Sequence, residues 1–297
     1  MTILNLASAT ESGAVGDAAD AVVSWSLSNG APFFNGLNEL ILSLAELIEQ
    51  LLSIPSPWLL ALGVALLALW RVGAGFALMC LLGLNLVVAM QLWDPMITTL
   101  SLVLAASLLA LLIGLPLGVL AAGQRWVWQL TRPMLDLMQT MPAFVYLIPA
   151  VMLFSTGAVP SIIATFVFSM PPVVRLTVLG IRQVPADLIE AGRSFGCSDL
   201  QLLRKVQLPC ALPTVMTGVN QTIMLALSMV VIASMIGGGG LGDVVLRGIQ
   251  QLNIGLGFEG GVAVVILAVI LDRLSQSLSA PPSASLPMRL KTLWKGR

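Results

Sequence analysis

The chain has 297 residues, 58% of them apolar and only 9% charged, with a mean hydropathy of +0.98. A soluble domain carries about 25% charged residues, so this composition excludes one and points to an integral membrane protein. The formal net charge is zero and there is no His, so the sign of any partner must be read from where the charges sit.

Residues 1–35 lack the basic start and apolar core of a signal peptide and are expected to form an extracytoplasmic, weakly ordered tail. In 36–55, Leu37, Leu40, Ile41, Leu44, Leu47, Ile48, Leu51 and Leu52 recur at helical spacing while Glu39, Glu46 and Glu49 fall elsewhere on the wheel. This predicts an amphipathic helix that either lies along the outer membrane surface or braces the bundle; the lack of Lys and Arg favours packing on protein. Pro55 and Pro57 end it.

A membrane-crossing helix needs about 20 apolar residues. Charge-free stretches place two spans within 56–94, meeting at Arg71, and a third over 95–124. Residues 137–174 hold a fourth and a fifth, parted by a turn at 155–160; the sixth starts near Pro213 and the seventh covers 260–278. No Lys or Arg precedes Arg71, whereas Arg289, Lys291, Lys295 and Arg297 crowd the tail at 280–297. The expected fold is therefore all-α, with about seven transmembrane helices, the N-terminus outside and the C-terminus in the cytoplasm. Arg125, Arg132, Arg182, Arg193, Arg204 and Lys205 then fall in cytoplasmic loops and Arg247 outside. Trp70, Trp93, Trp126 and Trp128 lie near span ends, as an interfacial belt would place them. Asp272 and Arg273 sit near the cytoplasmic end of the seventh span, placed to snorkel or pair.

One cytoplasmic loop, 182–212, is unlike the rest. Within it EAGRSFGCSDLQLLRKVQLP carries five charges. Residues 185–191 suit a short helix with Pro and Asp187 in its first turn, which Gly192 and Gly196 loosen or end. Ser198 and Gln201 have capping-box spacing, and Leu200, Leu203 and Val206 share a face until Leu208-Pro209 closes a second helix. A solvated loop or a docking element for a cytoplasmic partner both fit this pattern.

The spacing Glu190-Ala191-Gly192, Gly196, Val206, Leu208-Pro209 resembles the EAA loop of ABC importer permeases, E-A-A-x3-G-x9-I-x-L-P, with Gly192 replacing the third-position Ala and Val206 the Ile. Residues 134–154, 170–196 and 218–249 are similar to the permeases of glycine betaine, proline betaine and choline importers, the likeness covering about 90–275. The resemblance implies a type I importer permease core over 95–279 in the cell inner membrane. It also implies a homodimer, a cytoplasmic ATPase dimer holding ATP and Mg, an external substrate-binding protein and surrounding lipids, with no nucleic acid partner. Asp187, Glu190, Ala191, Gly192, Ser194, Phe195, Gly196, Val206, Leu208 and Pro209 would form the ATPase-coupling loop. The sequence contains no G-x-x-x-x-G-K-[ST], so this chain has no P-loop of its own.

Gly237, Gly239 and Gly242 formally satisfy G-x-G-x-x-G but follow a transmembrane helix rather than a strand, and read as a tight external turn before a short helix over 243–251. On the sixth span Thr217, Gln221, Met224 and Ser228 share a face, with Asn220 beside them. Such groups line a watery path or hydrogen-bond between helices. Phe144 and Tyr146 would suit a quaternary ammonium by cation–π contact, or serve packing. Cys80, Cys197 and Cys210 form no C-x-x-C pair and read as isolated thiols, not a disulfide or zinc framework. With neither a nucleophile motif nor a carboxylate pair, an enzyme is not expected. The alternatives are a permease of this architecture for another solute, such as an amino acid, or an ion-coupled secondary carrier. Charge-free spans argue against the carrier.

Overall fold

The computed structural model describes residues 14–279, so the basic tail and the first 13 residues lie outside the described residues. Twelve α-helices follow one another among these: α1 (Ala14–Ser53), α2 (Pro57–Arg71), α3 (Ala74–Ala89), α4 (Trp93–Gly123), α5 (Arg125–Thr140), α6 (Ala143–Phe154), α7 (Ala158–Arg182), α8 (Ala186–Ser194), α9 (Asp199–Leu202), α10 (Leu208–Ala233), α11 (Gly240–Gln250) and α12 (Ile254–Ser279).

The spine is α4, α7 and α10, and small residues let their backbones meet. A Cβ on Gly114 would fall 2.6 Å from Val173, and one on Gly118 2.7 Å from Thr177 and 3.1 Å from the Val174 carbonyl. On its other side α7 meets α10: a Cβ on Gly180 would fall 3.1 Å from the Ala211 carbonyl, and one on Gly218 3.1 Å from the Val173 Cα. In lipid, where apolar side chains have no water to escape, close van der Waals contact of this kind drives helix association. Ala105, Ala106 and Ala110 extend the seam along α4 with no exposed surface.

The amphipathic helix starts earlier than its sequence pattern implied: α1 runs unbroken from Ala14 through Pro32, so 14–35 is helical rather than a loose tail. Alanine-rich sequence favours helix there, and Phe34 stands edge-on to Phe154 at 5.7 Å, tying this half to the end of α6. Further on, Ile41 and Ala45 are buried in the main core and Thr98 Oγ1 donates to Glu49 Oε1 at 2.7 Å, joining α1 to α4. The bracing alternative therefore describes this face, while Leu40, Leu47 and Leu51 stay exposed.

Three expected spans differ in detail. The first is only the 15-residue α2, set at 91° to α1, and the second the 16-residue α3. Each is about 22–24 Å long, short of about 30 Å of hydrocarbon. The fourth is broken: α5 meets the 12-residue α6 at 103°. Pro142 is the cause, because the residue before a proline is pushed out of helical geometry, and Met141 is extended (φ −73°, ψ 137°). Four helical runs are long and apolar enough to cross outright, six if each bent pair counts once; seven requires α3 as well. The turn expected at 155–160 is confined to 155–157, with Ser155 at φ 64° and Gly157 at φ 137°, because Ala158, Val159 and Pro160 already form the first turn of α7, where a proline is tolerated.

Gly118→Ala is expected to destabilise the bundle by about 1–3 kcal/mol through overpacking against the α7 backbone. Gly63→Ala, with open space at its Cβ, should be neutral or slightly stabilising. Thermal unfolding of the two detergent-solubilised variants compares them directly, and equal midpoints would refute the glycine seam.

Candidate functional site

The 182–212 loop singled out by the sequence contains a pair of short helices with a built joint. α8 ends in a Schellman motif: Cys197 N donates to Gly192 O at 3.1 Å and Gly196 N to Arg193 O at 2.9 Å. Gly196 sits at φ 77°, in the left-handed region that side chains with a Cβ resist. Ser198 then caps α9 as expected, its Oγ accepting from Gln201 N at 3.4 Å while its own N donates to Gln201 Oε1 at 3.0 Å. Gly192 faces Leu202, whose Cδ1 lies 2.6 Å from where a Cβ would be, so the two helices close on each other at a glycine. Asp187, Glu190, Ala191, Ser194 and Gly196 are exposed around this joint. Phe195 is 89% exposed, with Leu188 and Leu200 also open, which gives the knob an apolar outer face ringed by charge.

The second helix does not stop at Leu208-Pro209. After α9 the chain makes a π-helical stretch, Leu203–Gln207, and continues into α10. Pro209 has no N–H and its ring crowds the carbonyl four residues back; widening the turn before it, with Leu208 N donating to Leu203 O, lets the helix run through. Val206 and Leu208 are half-buried and Pro209 exposed on this run. From Asp199 to Ile236 it behaves as one span of 38 residues.

On α10 the expected polar face divides. Thr217, Gln221 and Ser228 are exposed and Met224 half-buried, and the Thr217 and Ser228 hydroxyls donate to Pro213 O and Met224 O at 3.0 and 3.1 Å. Asn220 turns the other way, donating to Asp272 Oδ1 at 3.4 Å and accepting from the Ser275 hydroxyl of α12. Asn220 thus makes an interhelix link, and Asp272 pairs with it and with Gln276 at 2.7 Å. Phe144 and Tyr146 are not brought together. Phe144 is 54% exposed beside an apolar cleft with Met235, whereas Tyr146 is 7% exposed, edge-on to Phe168, with its hydroxyl donating to Met138 O.

At the other end of α10 the glycine turn is stitched to three helices. Gly237 and Gly239 both have positive φ, and Gly157 N donates to Ile236 O at 3.1 Å. Gly242 packs where a Cβ would lie 2.5 Å from Ser234 Oγ. Thr99 Oγ1 accepts from Leu241 N at 2.7 Å, which caps α11 from α4, and Asp243 pairs with Arg247 at 2.8 Å along α11. The role of Thr99 had no signal in the sequence, because a lone Thr in an apolar run matches no motif. Thr99→Val should leave the buried Leu241 N–H unpaired at a cost of about 1–3 kcal/mol, read as a lower thermal midpoint. Ser198→Ala should cost about 1 kcal/mol and speed amide exchange in 199–207; unchanged exchange would refute the cap.

Compared with known proteins, residues 114–279 match the family described as binding-protein-dependent transport system inner membrane component. The chain is 51% identical over 258 residues to the glycine betaine/proline betaine transport system permease ProW of Escherichia coli K12, covering 86% of this chain and 72% of that relative. It is 47% identical over 263 residues to the glycine betaine transport system permease OpuAB of Bacillus subtilis, covering 88% and 93%. Its fold is like that of the inward-facing MetNI methionine ABC transporter, with a TM-score of 0.57 at 22% identity over 61% of this chain and 91% of that one. The match takes in the capped helix pair, α10 and the glycine turn, and with it the chain belongs to the binding-protein-dependent inner membrane component family, as a multi-pass ABC permease rather than an enzyme.

Proposed function

We propose that this permease carries a quaternary ammonium solute of the glycine betaine type inward, as a homodimer driven by a separate ATPase dimer and supplied by an external binding protein. The observation that carries the reading is the helix pair at 186–202, rigidly capped at both ends of its joint and continuous with α10. Its similarity to permeases named for glycine betaine supplies the solute class.

Asp187, Glu190, Ala191, Gly192, Ser194, Phe195 and Gly196 would meet the ATPase, with Phe195 and Leu188 as apolar anchors inside a charged rim. Val206, Leu208 and Pro209 would pass its movement to α10. ATP and Mg belong to the ATPase partner. The orientation follows the basic residues: the 182–212 loop in the cytoplasm, the Gly237–Gly242 turn outside, the core over 95–279, and α1 to α3 flanking it. The exposed face of Thr217, Gln221, Met224 and Ser228 would line the path beside a second copy. Asn220 is better placed to hold α12. Phe144 and Tyr146 offer no shared aromatic box, so selection of the solute falls mainly to the external binding protein.

Glu190→Lys reverses a charge on the docking rim. In vesicles holding the permease with its ATPase and binding protein, ATP-driven uptake of radiolabelled glycine betaine should fall at least about tenfold, the scale of losing a charge-assisted contact, with the protein still in the membrane. Normal uptake by this variant removes the coupling assignment. Uptake without ATP favours an ion-coupled carrier, and no uptake of glycine betaine or choline redirects the search to another solute.

A further inference from the structure

A cleft of about 380 Å³ opens between α5 and the C-terminal half of α7, lined among others by Trp128, Arg132, Asp136, Arg175 and Arg182. Three guanidinium groups meet one carboxylate there, and no other acid lines it, which leaves two positive charges in excess. Asp136 takes Arg175 at 2.5 Å and Arg132 at 3.9 Å, and the Arg132 side chain is 67% exposed. Arg182 donates to the Ala121 and Ala122 carbonyls at 2.8 and 3.4 Å and lies 5.4 Å from the Trp128 ring centre.

The helix that carries half of this cleft has three stripes. Thr131 and Leu135 are buried; Trp126, Leu130, Met134 and Leu137 are exposed; Gln129, Arg132 and Asp136 form a polar edge between them. A core face, an open apolar face and a charged face around one helix suit a seat at the membrane–water boundary. The 103° bend to α6 allows the same placement, with α5 along the surface while α6 enters the membrane.

We propose that this cleft holds the phosphate of an anionic phospholipid of the cytoplasmic leaflet, its acyl chains lying along the apolar stripe of α5. This rests on the orientation proposed above. Planar guanidinium groups match phosphate oxygens, and basic clefts between helices on the cytoplasmic side suit anionic headgroups. A zwitterionic choline headgroup would return a cation to a site already two charges in excess, so the cleft discriminates by charge.

The test uses the full-length chain in detergent, titrated with dioleoylphosphatidylglycerol or dioleoylphosphatidylcholine and read by native mass spectrometry. Uptake is not the readout, so a different transported solute leaves the result intact. Phosphatidylglycerol should be retained in preference, and Arg132→Gln should narrow that preference about fivefold, the scale of one basic residue near an anionic headgroup. Arg132→Lys should keep most of it, and Arg247→Gln, on α11 away from the cleft, should leave it unchanged. Equal retention of the two lipids overturns the proposal, as does an equal effect of the Arg132 and Arg247 variants. A preference that vanishes when the ATPase subunits are added also overturns it, in favour of an acidic protein contact.

Discussion

The close approach of α7 to α4 and to α10 is the constraint on which everything else in this chain rests. Leucines gain nothing by packing together in hydrocarbon, so the helices hold by backbone proximity and by the few polar bonds they share. Gly114 and Gly118 let α4 reach one side of α7, and Gly180 and Gly218 let α10 reach the other. With α7 clamped between them, the C-terminal end of α4 lies where Arg182 can donate to its Ala121 and Ala122 carbonyls, groups that no intrahelical partner satisfies. The outer ends are likewise drawn together, where Ser161 on α7 donates to Ala233 O of α10 at 3.3 Å.

On the proposed reading, that clamp gives the capped helix pair something to push on. α9, the π-helical stretch and α10 form one run from Asp199 to Ile236, about 57 Å at the usual rise. A displacement at its N-terminal end would be carried along a continuous helix to the glycine turn, where Gly157, Thr99 and α11 all attach. The helix ladder changes register twice on this run, at the π turn over Leu203–Gln207 near its N-terminal end and at a 3-10 turn over Ser234–Ile236 at the other. On the proposed reading, a run this long, pinned at mid-height by glycine contacts and loosened near each end, suits a lever more than a strut.

Much of the capped helix pair was legible in sequence because its chemistry is local. A Ser three residues before a Gln caps the helix it precedes, and a glycine in Gly196's setting ends one, whatever the rest of the fold does. The long apolar helices α4, α7, α10 and α12 were legible for the same reason: length and lack of charge suffice. What failed to show was decided at a distance or by a single dihedral. Met141 and Pro142 turn an apolar stretch into a right-angled corner although hydropathy barely changes there. The extension of α1 back to Ala14 depends in part on Phe34 finding Phe154, 120 residues away in the chain. Asn220 and Gln221 are neighbours in sequence, yet only Asn220 reaches Asp272 and Ser275, and periodicity alone could not assign them to opposite fates.

The distribution of polar groups bears on how such a permease divides its labour. A quaternary ammonium offers no hydrogen bond to donate, so a site for it needs aromatic faces or a carboxylate. Tyr146, the one tyrosine, has its hydroxyl committed to Met138 and its ring to Phe168, and Asp272 is engaged by Asn220 and Gln276. The exposed face of α10 instead presents hydroxyls and an amide, which solvate a passing ion without gripping it. On the proposed reading this is an advantage for transport: a path that bound the solute tightly would have to spend the energy of ATP hydrolysis on releasing it. Weak contact along the helix, with recognition left to an external receptor and force applied at a distant capped joint, requires only that a continuous helix link the joint to the path, and the run from Asp199 through α10 is that link.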